Sequence, residues 1–352
     1  MATSAPSAGA RLAANWQLPF VPLFRDSHLQ TIAGRYWPAR LAENSWPTQA
    51  RYFSTEPGVK VLAHCNAHPP GAGTAATAGP FLGEAAGSKQ RRPLVLAVHG
   101  LTASSQAPYM RTLAQHALSA GFDVIRLNVR NCGGTEHLAP TLYHSGLTAD
   151  LRAVVEQLAP APLFLAGFSM GGNMVLKLAG EWGEHPPPHV QAVCGISVPI
   201  RLGVCARRLG EPGNRIYELR FLRELRRTLR RKQQAMPGSF AAPRWDGIRS
   251  IYDFDDAITA PAFGFDDADH YYESQSSAGF LSRIRVPALL IQAQDDPFIP
   301  FEVFADLPLE QNSNLRLEAP AHGGHVAFLS RRTPRFWAIA QAVRFFESLS
   351  GR

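Results

Sequence analysis

The stretch of residues 162–179, PLFLAGFSMGGNMVLKLA, constrains the possible fold more than any other part of the chain. Its apolar run at 163–166 is typical of a strand buried on both faces, and residues 173–178 have apolar side chains at helical spacing. Between them lies the pattern Gly-x-Ser-x-Gly at 167–171. The glycines allow a sharp turn that leaves the Ser169 hydroxyl exposed at the start of the helix. Because strand, turn and helix all fit, we favour a nucleophilic serine over a glycine-rich connection with no chemical role.

The composition is that of a globular protein. With 352 residues and 45% hydrophobic content, the chain can form one large α/β domain or two ordinary ones. It has no apolar run of bilayer-spanning length, and its first residues have no apolar segment typical of a secretory signal. Its cysteines have no metal-ligand spacing. The simplest interpretation is that these cysteines are reduced, so we expect a cytoplasmic protein. The cysteines are Cys65, Cys132, Cys194 and Cys205.

The net charge of +7 comes mostly from arginine. A basic balance can indicate nucleic acid or an anionic membrane as a partner, although scattered arginines more often form a solvated face. Since no nucleic-acid-binding pattern accompanies the charge, we expect no nucleic-acid partner. A peripheral membrane contact stays open, and the sequence does not indicate an oligomeric state.

Strands and helices alternate from residue 93 onward, which predicts a mostly parallel sheet flanked by helices, an α/β fold in three layers. A hairpin formed by 50–54 and 59–65 precedes this alternation. In such sheets, ligands bind at the carboxyl ends of the strands. The predicted strands lie at 93–98, 122–130, 163–166, 190–198, 287–293 and 315–318, and the helices at 109–120, 148–158 and 335–349.

Composition also divides the chain. We predict a disordered N-terminus at 1–15 and a flexible loop at 66–90, which is rich in Gly, Ala and Pro. The α/β core is predicted to span 16–198 and 287–352. The segment 199–286 interrupts the alternation and is predicted to form a helical cap over the strand ends.

The cap segment contains a basic amphipathic helix at 220–232, with Phe221, Leu225 and Leu229 on its inward face and the arginines in water. The cap is predicted to enclose an apolar pocket without a charged anchor. Its candidate lining residues are Phe221, Phe263, Phe265, Tyr271 and Phe280.

A serine hydroxyl becomes a good nucleophile when a histidine accepts its proton and a carboxylate orients that histidine. The chain supplies Ser169, then an aspartate after the strand at 287–293, then His325 after the last strand. An oxyanion would be bound by the N–H of Met170 and by that of Leu101, which follows the strand at 93–98. His99 is expected to support that loop.

No metal or cofactor is expected. His64, Cys65 and His68 lack a fourth ligand at a familiar spacing. A second set of possible metal ligands lies in the cap and consists of Asp266, Asp267, Asp269 and His270. Packing within a tyrosine-rich cap explains these residues better than metal binding does.

Eight short motifs of the chain fit one family pattern. They are HLQTI at 28–32, HGLT at 99–102, RLN at 126–128, RNCGG at 130–134, LYHSG at 142–146, GFSMGGN at 167–173, DDPF at 295–298 and GGH at 323–325. Together they resemble the YheT-like branch of the α/β-hydrolases, which also includes eukaryotic medium-chain acyl-ester and phospholipid hydrolases. The resemblance runs from about Phe20 to the C-terminus and is interrupted by the 66–90 loop. It implies the α/β-hydrolase fold, ester hydrolysis or acyl transfer to an alcohol, and a triad formed by the matching serine, aspartate and histidine.

Two adjacent aspartates compete for the acidic position of this triad. The acid of this fold commonly lies four residues before a proline, and Pro300 stands at that spacing from Asp296. We therefore predict Asp296 as the orienting residue and expect Asp295 to bind the loop backbone. His28 has either a site role or a structural role.

The sequence thus predicts a serine hydrolase that cleaves carboxylic esters, with a medium-chain acyl ester or a lipid as its small-molecule substrate. One alternative is an acyltransferase that uses the same triad. The other is a hydrolase-fold module without catalysis that binds anionic membrane through its basic cap.

Overall fold

Within the described residues, eight strands form one sheet, in the spatial order β1-β2-β4-β3-β5-β6-β7-β8. The first two form the predicted hairpin, and β2 pairs antiparallel with β4. All other neighbours are parallel, as the alternation predicts. The strands are β1 (Thr48–Glu56), β2 (Val59–Asn66), β3 (Leu94–Val98), β4 (Asp123–Leu127), β5 (Leu163–Phe168), β6 (Val190–Ile196), β7 (Ala288–Ile291) and β8 (Leu315–Glu318).

The helices connect these strands and cover both faces of the sheet. They are α1 (Ser27–Tyr36), α2 (Pro108–Ser119), α3 (Thr148–Glu156), α4 (Met170–Trp182), α5 (Leu202–Leu209), α6 (Arg215–Ala235), α7 (Ile251–Phe254), α8 (Ala260–Ala262), α9 (Ala268–Gln275) and α10 (Trp337–Leu349). A wide π turn, Asp255–Thr259, joins α7 to α8, and 3₁₀ turns span Pro212–Asn214, Ser277–Arg283 and Phe301–Phe304.

This computed structural model describes residues 16–38, 41–68, 92–158, 161–238 and 245–351. The predicted disordered N-terminus at 1–15 lies outside the described residues. So does the predicted flexible loop at 66–90, apart from its first three residues.

The central strands are buried on both faces, and their side chains alternate between two apolar clusters. In β3, Leu94, Leu96 and Val98 belong to one cluster, while Val95 and Ala97 belong to the other. Helices α3 and α4 complete the first cluster, and α2 and α10 complete the second. This packing on both faces holds β3, β5 and β7 in place. The predicted site residues Leu101, Ser169 and Asp296 follow the carboxyl ends of these three strands.

The segment between β6 and β7 is helical and contains α5 to α9. In α6, Leu222, Leu225 and Leu229 are buried at helical spacing, and Phe221 is half-buried. The helix is longer than the predicted 220–232 because it continues directly from the 3₁₀ turn before Arg215. The division of the chain into a core and a cap stays a prediction.

Candidate active site

Ser169 lies in a sharp turn between β5 and α4. Its backbone has φ 52° and ψ −121°, a conformation that costs energy for a residue with a side chain. The Ser169 N–H donates to the Ile196 carbonyl at 2.9 Å and so ties the turn to β6. A Cβ at Gly167 would collide with the Gly171 carbonyl, and one at Gly171 would collide with that of Val98. Only glycine therefore fits at these two positions.

A chain of hydrogen bonds joins the three predicted triad residues. The Ser169 Oγ lies 3.0 Å from Nε2 of His325. On the other side of the ring, Nδ1 of His325 lies 2.9 Å from Oδ2 and 3.2 Å from Oδ1 of Asp296. A histidine that donates Nδ1–H to this carboxylate has Nε2 free to accept the serine proton.

The carboxylate of Asp296 is buried and held by its own loop. Its Oδ1 accepts from the N–H groups of Phe298 (2.9 Å) and Ile299 (3.2 Å). Its Oδ2 accepts from the Gln292 amide at 3.2 Å. These bonds fix the carboxylate in the orientation that faces His325.

The neighbouring Asp295 points elsewhere. Its Oδ1 accepts from the Gly324 N–H at 3.0 Å, and its Oδ2 lies 3.2 Å from Nδ1 of His322. The structure therefore brings Asp296 to His325. Asp295 instead connects the loop after β7 to the loop after β8.

Helix α1 holds the loop that carries His325, a role that sequence reasoning missed. The Thr31 hydroxyl accepts from the His325 N–H at 2.9 Å and donates to the Ser27 carbonyl. Gly324, with φ 61°, lies so close to this turn of α1 that a Cβ there would collide with Ser27 and Thr31. The HLQTI motif was the available signal.

His28, left open by the sequence, lies against the cap segment and does not contact the triad. Its Nδ1 lies 3.1 Å from the Tyr217 hydroxyl of α6, and the two rings stack. Tyr217 in turn contacts Phe298, which packs on the His325 ring. A row of ring contacts thus connects α1 with His325.

Two backbone N–H groups near Ser169 are candidates for binding an oxyanion. The N–H groups of Met170 and Leu101 have no hydrogen-bond acceptor within the described ranges, and both residues line the cavity that contains Ser169. Gly100 brings the Leu101 loop close to the serine, since a Cβ there would meet the Ser169 Cβ at 3.2 Å.

The His99 ring supports this loop. Its Nε2 accepts from the Val129 N–H at 3.1 Å, so Nδ1 carries the proton and donates to the Gly100 carbonyl at 2.8 Å. Complete burial lowers the pKa of His99 to about 4. The ring is therefore neutral near pH 7 and is fully used by backbone partners.

A cavity of about 130 Å³ adjoins Ser169 and His325 and extends into the α5–α9 segment. Most of its wall is apolar. The apolar lining from α5, α6 and α7 consists of Leu202, Cys205, Ala206, Leu209, Phe221, Leu225, Leu229, Ile251 and Phe254.

The aromatic lining differs from the prediction. Of the five expected residues, Phe221 and Tyr271 line the cavity. Phe263 and Phe265 instead pack edge-on against His144, and Phe280 lies beside Lys177 of α4. The side-chain directions depend on turns in the cap segment that periodicity alone does not reveal.

The sequence indicated no charged anchor for a polar acyl group in the cap, and the structure adds that Asp255 lines the cavity. Burial raises the pKa of this carboxyl to about 6. The residue lies in the π turn after α7, an irregular element that has no simple sequence signature.

In the described part of the chain, no three His, Cys, Asp or Glu side chains are grouped so that they could hold a metal ion. His64 bonds to Ser105 and His68 to Asp123, while Asp267 caps α9. Likewise, no described helix is both long and apolar enough to cross a membrane.

The chain belongs to the α/β-hydrolase family, since the family model described as "alpha/beta hydrolase fold" matches residues 93–331. This confirms the predicted fold class. The YheT protein of Escherichia coli (strain K12) is 32% identical over 256 residues, which cover 70% of this chain and 74% of that protein. The resemblance to the YheT-like branch is therefore confirmed as well.

A second relative is a monoacylglycerol lipase of Saccharomyces cerevisiae (strain ATCC 204508 / S288c), 27% identical over 275 residues. The match covers 74% of this chain and 60% of that lipase. Among solved structures, the esterase Pf2001 of Pyrococcus furiosus aligns with a TM-score of 0.54 over 89% of this chain and 99% of that one. The identity to this esterase structure is 18%, so the likeness concerns the fold alone.

Proposed function

We propose that this protein is a serine hydrolase of carboxylic esters that forms an acyl-enzyme on Ser169. The observation that carries the proposal is the continuous hydrogen-bonded row from Ser169 through His325 to the buried Asp296. The esterase and lipase names of the two sequence relatives, one from Escherichia coli and one from Saccharomyces cerevisiae, support ester hydrolysis as the reaction.

In the first half-reaction, Ser169 Oγ attacks the ester carbonyl carbon while Nε2 of His325 takes the hydroxyl proton. The negative oxygen that forms accepts from the N–H groups of Met170 and Leu101. The bond to the alcohol oxygen then breaks, and the alcohol leaves with the proton from His325. In the second half-reaction, water gives one proton to Nε2 of His325 and attacks the acyl carbon. The bond between the acyl carbon and Ser169 Oγ then breaks, His325 returns the proton to Oγ, and the acid leaves.

The acyl part of the substrate is proposed to be of medium length. The apolar lining from α5 and α6 offers burial to methylene groups, each worth about 0.8 kcal/mol. Selectivity should therefore rise with chain length until the cavity is full. Acyl transfer to an alcohol uses the same acyl-enzyme and differs only in the acceptor of the second half-reaction.

The test is turnover of p-nitrophenyl esters from acetate to long-chain acids, with Ser169→Ala as the matched control. We expect kcat/KM to rise from acetate to medium-chain esters, and we expect the variant to lose kcat by about 10⁴- to 10⁶-fold. A fluorophosphonate probe should label the wild type and not the variant. The highest kcat/KM for acetate would refute the medium-chain assignment, and equal labelling of both proteins would refute Ser169 as the nucleophile.

A peripheral membrane contact is a second candidate function, and one observation favours it. Five large apolar side chains are exposed on α1 and α6, which His28 and Tyr217 join. We call them the α1–α6 surface; they are Leu29 (55% exposed), Ile32 (46%), Tyr36 (77%), Ile216 (82%) and Leu219 (50%).

Exposed arginines also lie in or directly before α1 and in α6. Arg25, Arg35, Arg220 and Arg223 form no ion pair with a carboxylate of the described residues, so their charge is available to anionic lipid headgroups. Apolar side chains combined with free cations are typical of segments that lie in a membrane interface.

A further inference from the structure

We propose that Asp255, together with Thr259 and Tyr272, forms a subsite that binds the free hydroxyl groups of the substrate's alcohol part. The substrate class would be a monoester of a polyhydroxy alcohol such as glycerol. This inference rests on the proposed ester hydrolysis and deepens it.

The first argument is the hydrogen-bonding of the carboxylate. Oδ1 of Asp255 accepts from the Thr259 hydroxyl at 2.6 Å, and Oδ2 accepts from the Tyr272 hydroxyl at 2.7 Å. An ionised carboxylate has about four acceptor positions, so each oxygen has capacity for a further donor. No lysine, arginine or histidine of the described residues forms an ion pair with Asp255.

The second argument is location. Asp255, Thr259 and Tyr272 all line the cavity that contains Ser169 and His325. Asp255 is half-buried and forms no ion pair with a cation of the described residues, which is unfavourable for a charged carboxylate, and burial raises its pKa. A ligand hydroxyl in the cavity would donate a further hydrogen bond to the Asp255 carboxylate, in addition to those from Thr259 and Tyr272.

The third argument is the division of the cavity wall by chemistry. The helices α5 and α6 contribute mainly apolar side chains, whereas the π turn and α9 contribute the carboxylate and hydroxyl groups. A molecule with an apolar chain at one end and hydroxyl groups at the other matches both parts of this wall. The polar part presents acceptors, so it suits hydroxyl donors and disfavours an anionic phosphate group.

The test compares two esters of the same acyl chain, monooctanoylglycerol and ethyl octanoate, in the wild type and in Asp255→Asn. We expect Asp255→Asn to lower kcat/KM for the glycerol ester by about 10- to 100-fold and to change that for the ethyl ester less than about twofold. Tyr272→Phe, which removes one supporting hydroxyl, should shift the selectivity in the same direction.

Asp256→Asn is the matched control because it removes the same charge one residue further along, at an exposed position. It should leave the ratio of the two kcat/KM values unchanged. An equal loss for both esters in Asp255→Asn would show a structural role of the cluster and overturn the proposal. No change for either ester would overturn it too.

A binding measurement separates this inference from the proposed reaction. The ether 1-O-octylglycerol has no bond to hydrolyse, and calorimetry should show that the wild type binds it at least about tenfold more tightly than Asp255→Asn. If no ester is turned over but this difference appears, the proposed reaction fails and the hydroxyl subsite stands. Equal affinity of both proteins for the ether would refute the subsite.

Discussion

At the scale of single residues, the two adjacent aspartates after β7 make different contacts, and this difference can be measured. Asp296→Asn should lower kcat by about 10⁴-fold, because an amide in contact with Nδ1 favours the wrong tautomer of His325. Asp295→Asn removes only a tie to Gly324 and His322 and should cost far less. Steady-state kinetics of both variants decide the matter, and a larger loss in Asp295→Asn would assign the orienting role to Asp295.

Residues whose role is set by their neighbours in the chain could be predicted from the sequence. The turn around Ser169 is such a case, since its glycines and flanking patterns lie within a few residues. Asp255 and Thr31 are the opposite case. Asp255 lies in the π turn and bonds to Tyr272, and Thr31 lies on α1 and bonds to the N–H of His325. No local sequence pattern encodes these two contacts.

At the scale of elements, the α1–α6 surface leads to a test of membrane contact. The wild type should co-sediment with vesicles that contain phosphatidylglycerol and should do so less at high salt, because exposed arginines contribute about 1 kcal/mol each. The double variant Ile216→Asn/Leu219→Asn should lose much of this binding. Tyr52→Asn, which alters an exposed apolar residue of β1, is the control and should bind as the wild type does.

Wild-type protein that stays in the supernatant at physiological salt would contradict the membrane contact. Equal loss in the β1 control would show that binding depends on general surface hydrophobicity and not on the α1–α6 surface.

The basic helix itself was predictable from apolar residues at helical spacing, because α6 buries one face. Its start at Arg215 was not, since the preceding 3₁₀ turn has no apolar period. The pairing of α1 with α6 was equally hidden from the sequence, because the His28–Tyr217 contact joins residues 189 positions apart.

At the scale of the whole molecule, buried neutral histidines make stability depend on pH. The folded-state pKa of His99 is about 4, below the ordinary value of 6.5, so the unfolded chain binds more protons between these values. The stabilisation is complete above pH 6.5 and is lost as the pH falls toward 4. His144, whose pKa burial lowers to about 3, acts with the same sign.

Urea unfolding of the wild type and of His99→Gln at pH 7 and pH 5 tests this expectation. The stability advantage of the wild type over the variant should be smaller at pH 5 by about 2 kcal/mol. Asp255, with its raised pKa, has the opposite sign but is present in both proteins, so it does not affect the difference. A difference that is the same at both pH values would contradict a neutral, buried His99.

The α/β class and the parallel pairing could be predicted because alternating strands and helices restrict the topology. The position of β4 between β2 and β3 could not, because it depends on which strands meet after the chain collapses.

The contact between Thr31 and the His325 N–H joins residues 294 positions apart, and this separation bears on how the protein folds. Contacts between distant residues require closure of long loops and form slowly. The turn around Ser169 depends on local residues and can form early. The loop that carries His325 depends on α1, so we expect it to form only after α1 packs against it. We therefore expect that, during refolding, esterase activity returns after the secondary structure does.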